Sequence, residues 1–518
     1  MEMTAPQRPA RPGADLGVLL LLVAWLTATA WVRPLSLPDE GRYVGVAWDM
    51  LRSGEWLTPT LDGHPYFHKP PLFYWITAVA LWAGGPHEWA ARLTPLLGAS
   101  VAAFSLYRFV HRWRGLSTAR ASLLVLATQP FFFIGAQFAN LDMLVAGCIS
   151  VTTLCAADAA LRCIDGLPFR TTLCAAFVGA ALGVLAKGLI GAALPALTVL
   201  AWLAFMRQWR VIGKLFWLPG LGLFAAIAAP WFIAMELRFP SFFDYFFVVQ
   251  QFKRFIGGGF NNVEPFWFFP VVLAVMVLPW SPWLVHAFSR SSLRRVRSDP
   301  VVLLMWTWLC VVVLFFSWPQ SKLVGYVLPA LPPLAFLIAD ASRSARAGIG
   351  RASRLWLASA IVAAVACLAC VAGIVVETRN SRQAIGHLLA ADRKAGEPVI
   401  FLREYFYDIP FYARLDEPVL VAADWSPPTA QQADTWRKEL RDANRFGGPP
   451  TLVDEQNLMQ LLCGHPVSWI VTSTDEVARF PMLGKLSPLA IADHAGLYRV
   501  NRESLNAAGG CGSAAAPN

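Results

Sequence analysis

Acidic and basic side chains lie close together directly after the first long apolar run of the chain. The stretch "LPDEGRYVGVAWDM" (37–50) places Asp39 and Glu40 next to Arg42 and Tyr43. Its apolar residues recur with helical spacing, which predicts an amphipathic helix in the membrane interface. A carboxylate held there could act as a general base on an incoming hydroxyl or could orient an acceptor.

Basic side chains that could bind an anion stand near the ends of other apolar segments. Lys69 lies in "YFHKPPLFYW" (66–75), and Arg92, Lys187 and Lys322 follow later. Cations of this kind favour the departure of an anionic leaving group such as a lipid phosphate. For Lys187 and Lys322, an alternative is that each side chain reaches the lipid headgroups from a helix end. A carboxylate near such cations at a membrane surface suggests glycosyl transfer from a lipid-linked donor.

Asp142, in "NLDM" (140–143), is a further acidic candidate at a membrane edge. A charge at membrane depth is costly unless it is paired or faces water, so it marks a candidate functional site. Asp142 could also cap the helix that follows it, and this role is compatible with a functional one.

The composition indicates the kind of protein that positions these side chains. The chain has 518 residues, of which 56% are hydrophobic and 15% are charged, and its mean hydropathy is +0.50. A soluble globular protein is excluded by these values. The formal charge of +10 is expected in cytoplasmic loops and near anionic headgroups, so we expect membrane lipids and no nucleic acid as partners.

Apolar runs long enough to cross a bilayer recur as far as about Val376. The strongest basic clusters fall on one side if the segment Pro70 to Gly85, with about 16 residues, does not cross. The carboxylates and lysines named above then share the outer face, with the N-terminus inside and the C-terminus outside. About 11 spans are predicted, at 16–32, 88–110, 119–139, 143–162, 171–186, 189–206, 215–235, 265–288, 300–318, 323–341 and 355–376.

The composition changes after Val376. Helix-like stretches alternate with short β-branched runs such as "EPVIFL" and "VSWIVTS", which predicts a small α/β domain. We therefore divide the chain into a membrane domain (1–376), with its first outer loop (33–87), and an outer α/β domain (377–518) with a disordered tail. Cys463 and Cys511 in this domain could form a disulfide.

The quoted motifs resemble those of a known family. "LPDEGRYVGVAWDML" and "SGEWLTPTLDGHPYFHKPPLFYW" look like the first periplasmic loop of bacterial GT-C glycosyltransferases related to protein O-mannosyltransferases, closest to the lipid A aminoarabinose transferase. "EWAARL", "NLDM", "LAKG" and "SKLVGYVLPALPPLA" match further along the chain. The resemblance implies a GT-C fold of about 11–13 spans in the bacterial inner membrane.

The same resemblance implies an activity and roles for individual residues. The enzyme would transfer a sugar from undecaprenyl phosphate to lipid A on the periplasmic face, the sugar being aminoarabinose or another amino sugar. Transfer to protein Ser or Thr or to another envelope glycan is the alternative. A transporter of lipid-linked sugars fits less well, because it would need polar groups near the bilayer centre and usually a helix repeat. By similarity, Asp39 is the main catalytic carboxylate, Glu40 and Asp142 support it, and the phosphate or sugar is bound by Arg42, Tyr43, Lys69, Arg92, Lys187, Lys322 and Tyr326.

Two positions depart from the aminoarabinose transferase pattern. Residue 68 is His where that pattern usually has Glu, and residue 41 is Gly where it has Thr. His64 and His68, four residues apart, leave a divalent metal site open, although we expect the reaction to require no cofactor. The change at residue 68 affects the prediction of the sugar more than the prediction of the reaction class. The identity of the sugar is therefore left open.

Overall fold

A computed structural model describes residues 12–253, 263–343, 346, 350–377, 381–426, 435–507 and 511. The chain forms two compact units. The membrane unit contains Met1–Val32, His68–Ile76 and Arg92–Ile374, and the second unit contains Arg33–Phe67, Thr77–Ala91 and Val375–Asn518. Most residues of the first outer loop (33–87) belong to the second unit. The tail expected to be disordered lies, apart from residues 506, 507 and 511, outside the described residues.

The membrane unit is helical. Its α-helices are α1 Pro12–Thr27, the start of α3 Leu72–Gly84, α5 Leu93–Arg114, α6 Leu116–Ala127, α7 Pro130–Ala136, α8 Leu141–Ile164, α9 Arg170–Lys187, α10 Ile190–Phe205, α11 Trp209–Leu215, α12 Leu218–Arg238, α13 Phe268–Met276, α14 Arg290–Ser298, α15 Pro300–Ser317, α16 Leu331–Ala341 and α17 Arg351–Glu377, the last of which ends in the second unit. A π-helix covers Asp244–Lys253, and 3₁₀-helices cover Ser281–Phe288 and Val324–Ala330.

The predicted polytopic helical fold is confirmed. Within the described part of the chain, seven helices are long and apolar enough to cross a membrane, and two bent helix pairs would raise the number to nine. The predicted spans 16–32 and 189–206 correspond to α1 and α10, which have 16 residues each. α3 has 13 residues, fewer than a crossing helix needs, as expected for the segment Pro70 to Gly85.

Two predicted spans are bent because of their local sequence. α6 and α7 meet at 70°, where Gln129 is extended and Pro130 starts the next helix. A residue before proline is disfavoured in the helical region, so a straight helix through this point would be strained. In the other pair, α13 and the 3₁₀-helix after it meet at 115°.

The second unit combines part of the first loop with the C-terminal residues. Its helices are α2 Asp39–Ser53, the end of α3, α4 Glu88–Ala91, α18 Gln383–Asp392, α19 Ile409–Tyr412, α20 Trp436–Asn444, α21 Leu458–Gly464 and α22 Arg502–Ala507. Its strands are β1 Thr60–Leu61, β2 His64–Pro65, β3 Val399–Leu402, β4 Leu420–Ala423, β5 Leu452–Asp454, β6 Val467–Ser473, β7 Ala490–Ala492 and β8 Ala495–Asn501. Short 3₁₀-helices cover Glu455–Asn457, Val477–Arg479 and Leu483–Lys485.

A six-stranded sheet organises the C-terminal part, as the alternating pattern predicted. Its order is β5-β4-β3-β6-β8-β7, in which β3, β4, β5 and β6 pair in parallel and β8 pairs antiparallel with both β6 and β7. All four residues of β3 are buried, as is usual for a parallel strand covered on both faces. At the carboxyl ends of these strands, Arg403 pairs with Glu455 at 2.6 Å and with Glu476 at 2.9 Å.

A disulfide joins Cys463 to Cys511. It ties α21 to a residue beyond α22, and the partly buried Cys511 packs against the hydrophobic core that includes Leu458 and Leu462. The pairing expected from the sequence is confirmed.

Candidate active site

Asp39 is the first residue of α2 and lies in the second unit. Its side chain is 42% exposed and pairs with Arg42, one turn further along. The unpaired backbone N–H groups of a helix N-terminus favour a carboxylate at this position. A fixed and accessible carboxylate results, which is the state that a catalytic acidic group needs.

Arg42 connects Asp39 to the C-terminal part of the same unit. Its second guanidinium nitrogen pairs with Glu439 of α20. The Tyr407 hydroxyl donates a hydrogen bond of 2.6 Å to the other oxygen of Glu439. Arg42 also lies over the rings of Tyr43 and Tyr407, 5.5 and 5.8 Å from their centroids. Because two carboxylates neutralise Arg42, we assign it the positioning of Asp39 more than the binding of a phosphate.

α2 is anchored to the segment that contains Tyr407. Trp48 Nε1 donates to the Leu415 carbonyl at 3.1 Å, and Leu35 N donates to the Tyr412 hydroxyl at 2.8 Å. A Cβ on Gly41 would lie 3.0 Å from Cβ of Tyr407 and 3.2 Å from the Asp408 nitrogen. Threonine, which the family pattern has at residue 41, would therefore crowd this segment.

Glu40 differs from its neighbour Asp39, because it is completely buried. Its carboxylate pairs with Arg33 and accepts a hydrogen bond of 2.7 Å from Ser36 N. These bonds fix the chain that leads into α2. Glu40 therefore supports the site by holding the loop, and a direct part in the chemistry would require breaking a buried ion pair.

Replacing Glu439 by Gln is expected to lower the stability of the protein by about 1.5–3 kcal/mol, the usual worth of a buried hydrogen bond to a charged group. Arg42 would lose one of its two anionic partners. The midpoint of thermal unfolding of the purified protein measures this loss. Glu417→Gln is the matched control, because Glu417 is 71% exposed and 3.8 Å from Arg393. Equal midpoints for the two variants would contradict the role given to Glu439.

A second group of candidate residues lies in the membrane unit. Asp142 is in the first turn of α8, and Lys187 is the last residue of α9. The two side chains form an ion pair and are only 11% and 9% exposed. Lys187 Nζ also lies 4.4 Å from the centroid of the Tyr326 ring. Each charge is placed at the helix end that favours it.

Asn140 is the N-cap of α8, and its side-chain oxygen accepts a hydrogen bond of 3.0 Å from Asp142 N. Since Asn140 performs the capping that the sequence left open for Asp142, the Asp142 carboxylate is available for Lys187. In the membrane unit, the structure thus brings together the predicted residues Asp142, Lys187 and Tyr326.

Gly325 makes room for this arrangement, because a Cβ there would overlap the Asp142 carboxylate. Gly325→Ala is expected to cost about 1–3 kcal/mol through overpacking and to displace the ion pair. Thermal unfolding measures the cost. The control is Gly222→Ala in α12, where a Cβ would meet open space and alanine favours the helix. A Gly325→Ala protein as stable as the control would contradict the close approach.

The remaining predicted cations have different surroundings. Lys322 is buried and donates to the Glu264 carbonyl at 2.6 Å. Arg92 is buried and donates to the Ala30 carbonyl at 2.8 Å, so it ties the start of α5 to the turn that follows α1. Lys69 is half-buried. We therefore regard Arg92 as a structural group, whereas Lys322 and Lys69 remain candidates for binding an anion.

The two histidines have separate environments. His64 is fully buried in the second unit, with Nε2 2.8 Å from Thr451 Oγ1, and burial lowers its pKa to about 4. His68, in the membrane unit, has its ring centroid 6.2 Å from that of Tyr245. Among the described residues, no three His, Cys, Asp or Glu side chains are grouped so that they could hold a metal ion.

Asp62 is a buried acidic residue of the first outer loop (33–87), two residues before His64. Its raised pKa predicts that the stability of the protein depends on pH. Burial, with the nearby charge of Asp49, raises its pKa from 3.8 to about 8. The folded protein then holds a proton that the unfolded chain loses, so stability falls as the pH rises from about 4 to about 8. Below pH 6.5 the lowered pKa of His64 acts in the opposite direction.

The effect of Asp62 on stability should therefore be measured between pH 6.5 and 8, where His64 does not oppose it. Wild-type stability should fall there by up to about 1.4 kcal/mol per pH unit. Asp62→Asn should remove this slope, since Asn keeps an oxygen for the Val419 N–H at 2.9 Å. Thermal unfolding of both proteins across this range measures the difference. An unchanged slope in Asp62→Asn would rule out the assignment.

The sequence did not single out Glu439, Tyr407, Arg33 or Gly325. Glu439 is 397 residues away from Arg42 in the chain, and it stands in an ordinary amphipathic helix. Arg33 is seven residues before Glu40, so its nearness to the acidic pair was a usable signal.

Comparison with known proteins supports the resemblance. Residues 68–233 match the family described as dolichyl-phosphate-mannose-protein mannosyltransferase. The chain is 30% identical over 340 residues to an undecaprenyl phosphate-alpha-4-amino-4-deoxy-L-arabinose arabinosyl transferase of Photorhabdus laumondii, covering 64% of this chain and 60% of that protein. The protein of the same name from Pseudomonas aeruginosa is 32% identical over 336 residues, with 62% and 59% covered. The chain thus spans less than two thirds of the length of these relatives.

Solved structures extend the likeness in fold to nearly the whole chain. ArnT from Cupriavidus metallidurans in the apo state has a TM-score of 0.77 at 23% identity, covering 95% of this chain and 99% of that one. The same protein bound to undecaprenyl phosphate has a TM-score of 0.75 at 24% identity, with 98% and 99% covered. The chain has the fold of ArnT, and the predicted resemblance to GT-C glycosyltransferases and to the aminoarabinose transferase is confirmed.

Proposed function

We propose that the protein transfers a sugar from undecaprenyl phosphate to a phosphate of lipid A, the sugar being aminoarabinose or another amino sugar. Asp39 carries the proposal, because it is an accessible carboxylate held at a helix start by Arg42 and Glu439. The donor and sugar come from the names of the relatives that are 30–32% identical. The fold shared with the ArnT structure that contains undecaprenyl phosphate supports the donor.

The reaction exchanges one bond at the anomeric carbon for another. The bond from this carbon to the phosphate oxygen of the donor breaks, and the electron pair leaves with undecaprenyl phosphate. A lipid A phosphate oxygen forms the new bond. Because this acceptor is already ionised near neutral pH, Asp39 would orient the sugar and stabilise its developing positive charge. With a hydroxyl acceptor, Asp39 would have to take a proton.

The other candidate residues are proposed to act on the anionic part of the donor. Lys187, held by Asp142 and the Tyr326 ring, and Lys69 and Lys322 would bind phosphate, because an ammonium group offers three donors to its oxygens. Arg42 and Tyr43 would position Asp39, while Glu40 and Arg92 hold the chain around it. These cations can carry the phosphate charge, so the proposal includes no resident cofactor.

We place the protein in the bacterial inner membrane, with Asp39 and the α/β residues on the periplasmic side. The disulfide between Cys463 and Cys511 supports this orientation, because disulfides persist in oxidising compartments such as the periplasm. The basic clusters of the sequence support the same orientation through the positive-inside rule. The membrane domain (1–376) would carry the donor-binding cations and the domain 377–518 would support α2.

Protein O-glycosylation is the second candidate, favoured by the match of residues 68–233 to the mannosyltransferase family. Mass spectrometry of lipid A from a deletion strain, with and without the wild-type gene, separates the two candidates. Loss of a sugar-sized mass from lipid A, restored by the gene, is the expected result and gives the class of sugar. Unchanged lipid A with a lost protein glycan would replace the proposal by the second candidate.

A further inference from the structure

An apolar groove lies among five helices of the membrane unit, α8, α9, α10, α11 and α12. Its volume is about 260 Å³, and Thr152, Phe177, Pro195 and Val199 are among the residues that line it. A cavity of about 150 Å³ holds a benzene molecule, so this groove would hold a stretch of a hydrocarbon chain. Phe216, at one end, is 63% exposed, so the groove is open to the surface.

Two glycines set the position of the groove. A Cβ on Gly191 of α10 would overlap the backbone of Gly183 of α9, so the two helices touch near the turn that joins them. The groove begins beyond this contact, at Ala180 and Ala192. Because both residues are small, the facing helices leave space that larger side chains would fill.

Exposed cations stand at the end of the groove away from this contact. Arg170 begins α9, one turn before the lining residue Leu173, and Lys214 directly precedes the lining residue Leu215. Arg170 Nη1 donates to the Lys214 carbonyl at 3.2 Å, and its guanidinium lies 4.9 Å from the Trp217 ring centroid. Arg210 is four residues before Lys214, on the same face of α11.

Neighbouring residues indicate that the charged end of the groove lies at the level of the lipid headgroups. Trp209, at the start of α11, is 64% exposed, and tryptophan is enriched at the level of the lipid headgroups. Arg170, Arg210 and Lys214 are all exposed, and one exposed acid, Asp165, stands near them in the sequence. The end of the groove is therefore positively charged beside an apolar channel.

We propose that this groove is a binding site for an anionic membrane phospholipid. One acyl chain occupies the groove, and the headgroup phosphate binds Arg170 and Lys214, with Arg210 beside them. The charge at the end of the groove selects an anionic lipid over a neutral one, because each nearby Lys or Arg strengthens attraction to anionic lipid. The site is independent of the transfer reaction.

The test measures the affinity of the purified, delipidated full chain for phosphatidylglycerol and for phosphatidylcholine, by native mass spectrometry. Wild type should prefer phosphatidylglycerol. The double variant Arg170→Gln/Lys214→Gln should bind phosphatidylglycerol about thirtyfold more weakly, while binding of phosphatidylcholine stays the same. Arg120→Gln, at an exposed position of α6, is the control for charge and should have no effect.

A second pair of variants tests the apolar part. Ala196→Phe, within the lining of the groove, should weaken phosphatidylglycerol binding about tenfold, the effect of leaving roughly two methylene groups unburied. Ala193→Phe, exposed on the same helix, is the control. Equal affinity of wild type for the two lipids would overturn the proposal. Displacement of phosphatidylglycerol by a lower concentration of undecaprenyl phosphate would also overturn it, since the groove would then belong to the polyprenyl chain.

Discussion

Asp39→Asn is expected to slow sugar transfer by at least about a hundredfold, while the protein still inserts into the membrane and folds. Removing one group that stabilises a charged transition state costs about 10²–10³ in rate, and removing a general base costs about 10²–10⁴. Asn has nearly the same shape as Asp and can still accept a hydrogen bond from Arg42, so the structural effect should be small. The measurements are the transfer rate of purified protein and the mass of lipid A in the complemented strain.

Asp416→Asn is the matched control for this experiment. Asp416 is exposed and belongs to the same unit, and its change should leave transfer intact. Wild-type turnover by Asp39→Asn would refute the catalytic assignment. If both variants lost activity together with their thermal unfolding transition, the loss would reflect folding and the assignment of Asp39 would fail.

Lys187→Met is expected to lower stability by about 3–5 kcal/mol, because it leaves the buried Asp142 carboxylate without its cation. It should also weaken use of the lipid-linked donor if Lys187 binds the donor phosphate. These two effects are separated by the double variant Asp142→Asn/Lys187→Met. A neutral pair of similar size should recover most of the stability.

The activity of that double variant decides the role of Lys187. A donor KM that stays raised after stability is recovered is expected, since the phosphate ligand is still missing. Recovery of the wild-type KM would show that Lys187 only balances Asp142, and would refute its part in donor binding. Lys485→Met, at an exposed position, should change neither quantity.

Hydropathy was sufficient for the membrane segments because lipid imposes one rule on all of them: backbone groups must bond within the segment. Each predicted span therefore corresponds to a helix or to a bent pair. The bend before Pro130 was not predicted, although the proline signals it, because the length and polarity of the segment alone fit one straight crossing.

The partners of the candidate site were harder to predict. Asp39 and Arg42 are three residues apart, so helical spacing alone brings them together. Glu439 reaches Arg42 through the fold of the second unit, and no local pattern encodes that contact. The Asp142–Lys187 pair was partly predictable, since both residues stand at helix ends on the predicted outer face. The length of the intervening helices, not a motif, makes them meet.

The ion pairs of Arg403 have a consequence for the use of the α/β residues. In open parallel sheets, ligands usually enter the crevice at the carboxyl ends of the strands, where the strand order reverses. Here that point lies between β3 and β6, and Arg403 occupies it with Glu455 and Glu476. A ligand at this position would compete with these two ion pairs, whose three side chains are 20–28% exposed. The α/β residues thus place their own charged groups where open parallel sheets usually bind ligands, and through Glu439 they hold the helix that carries Asp39.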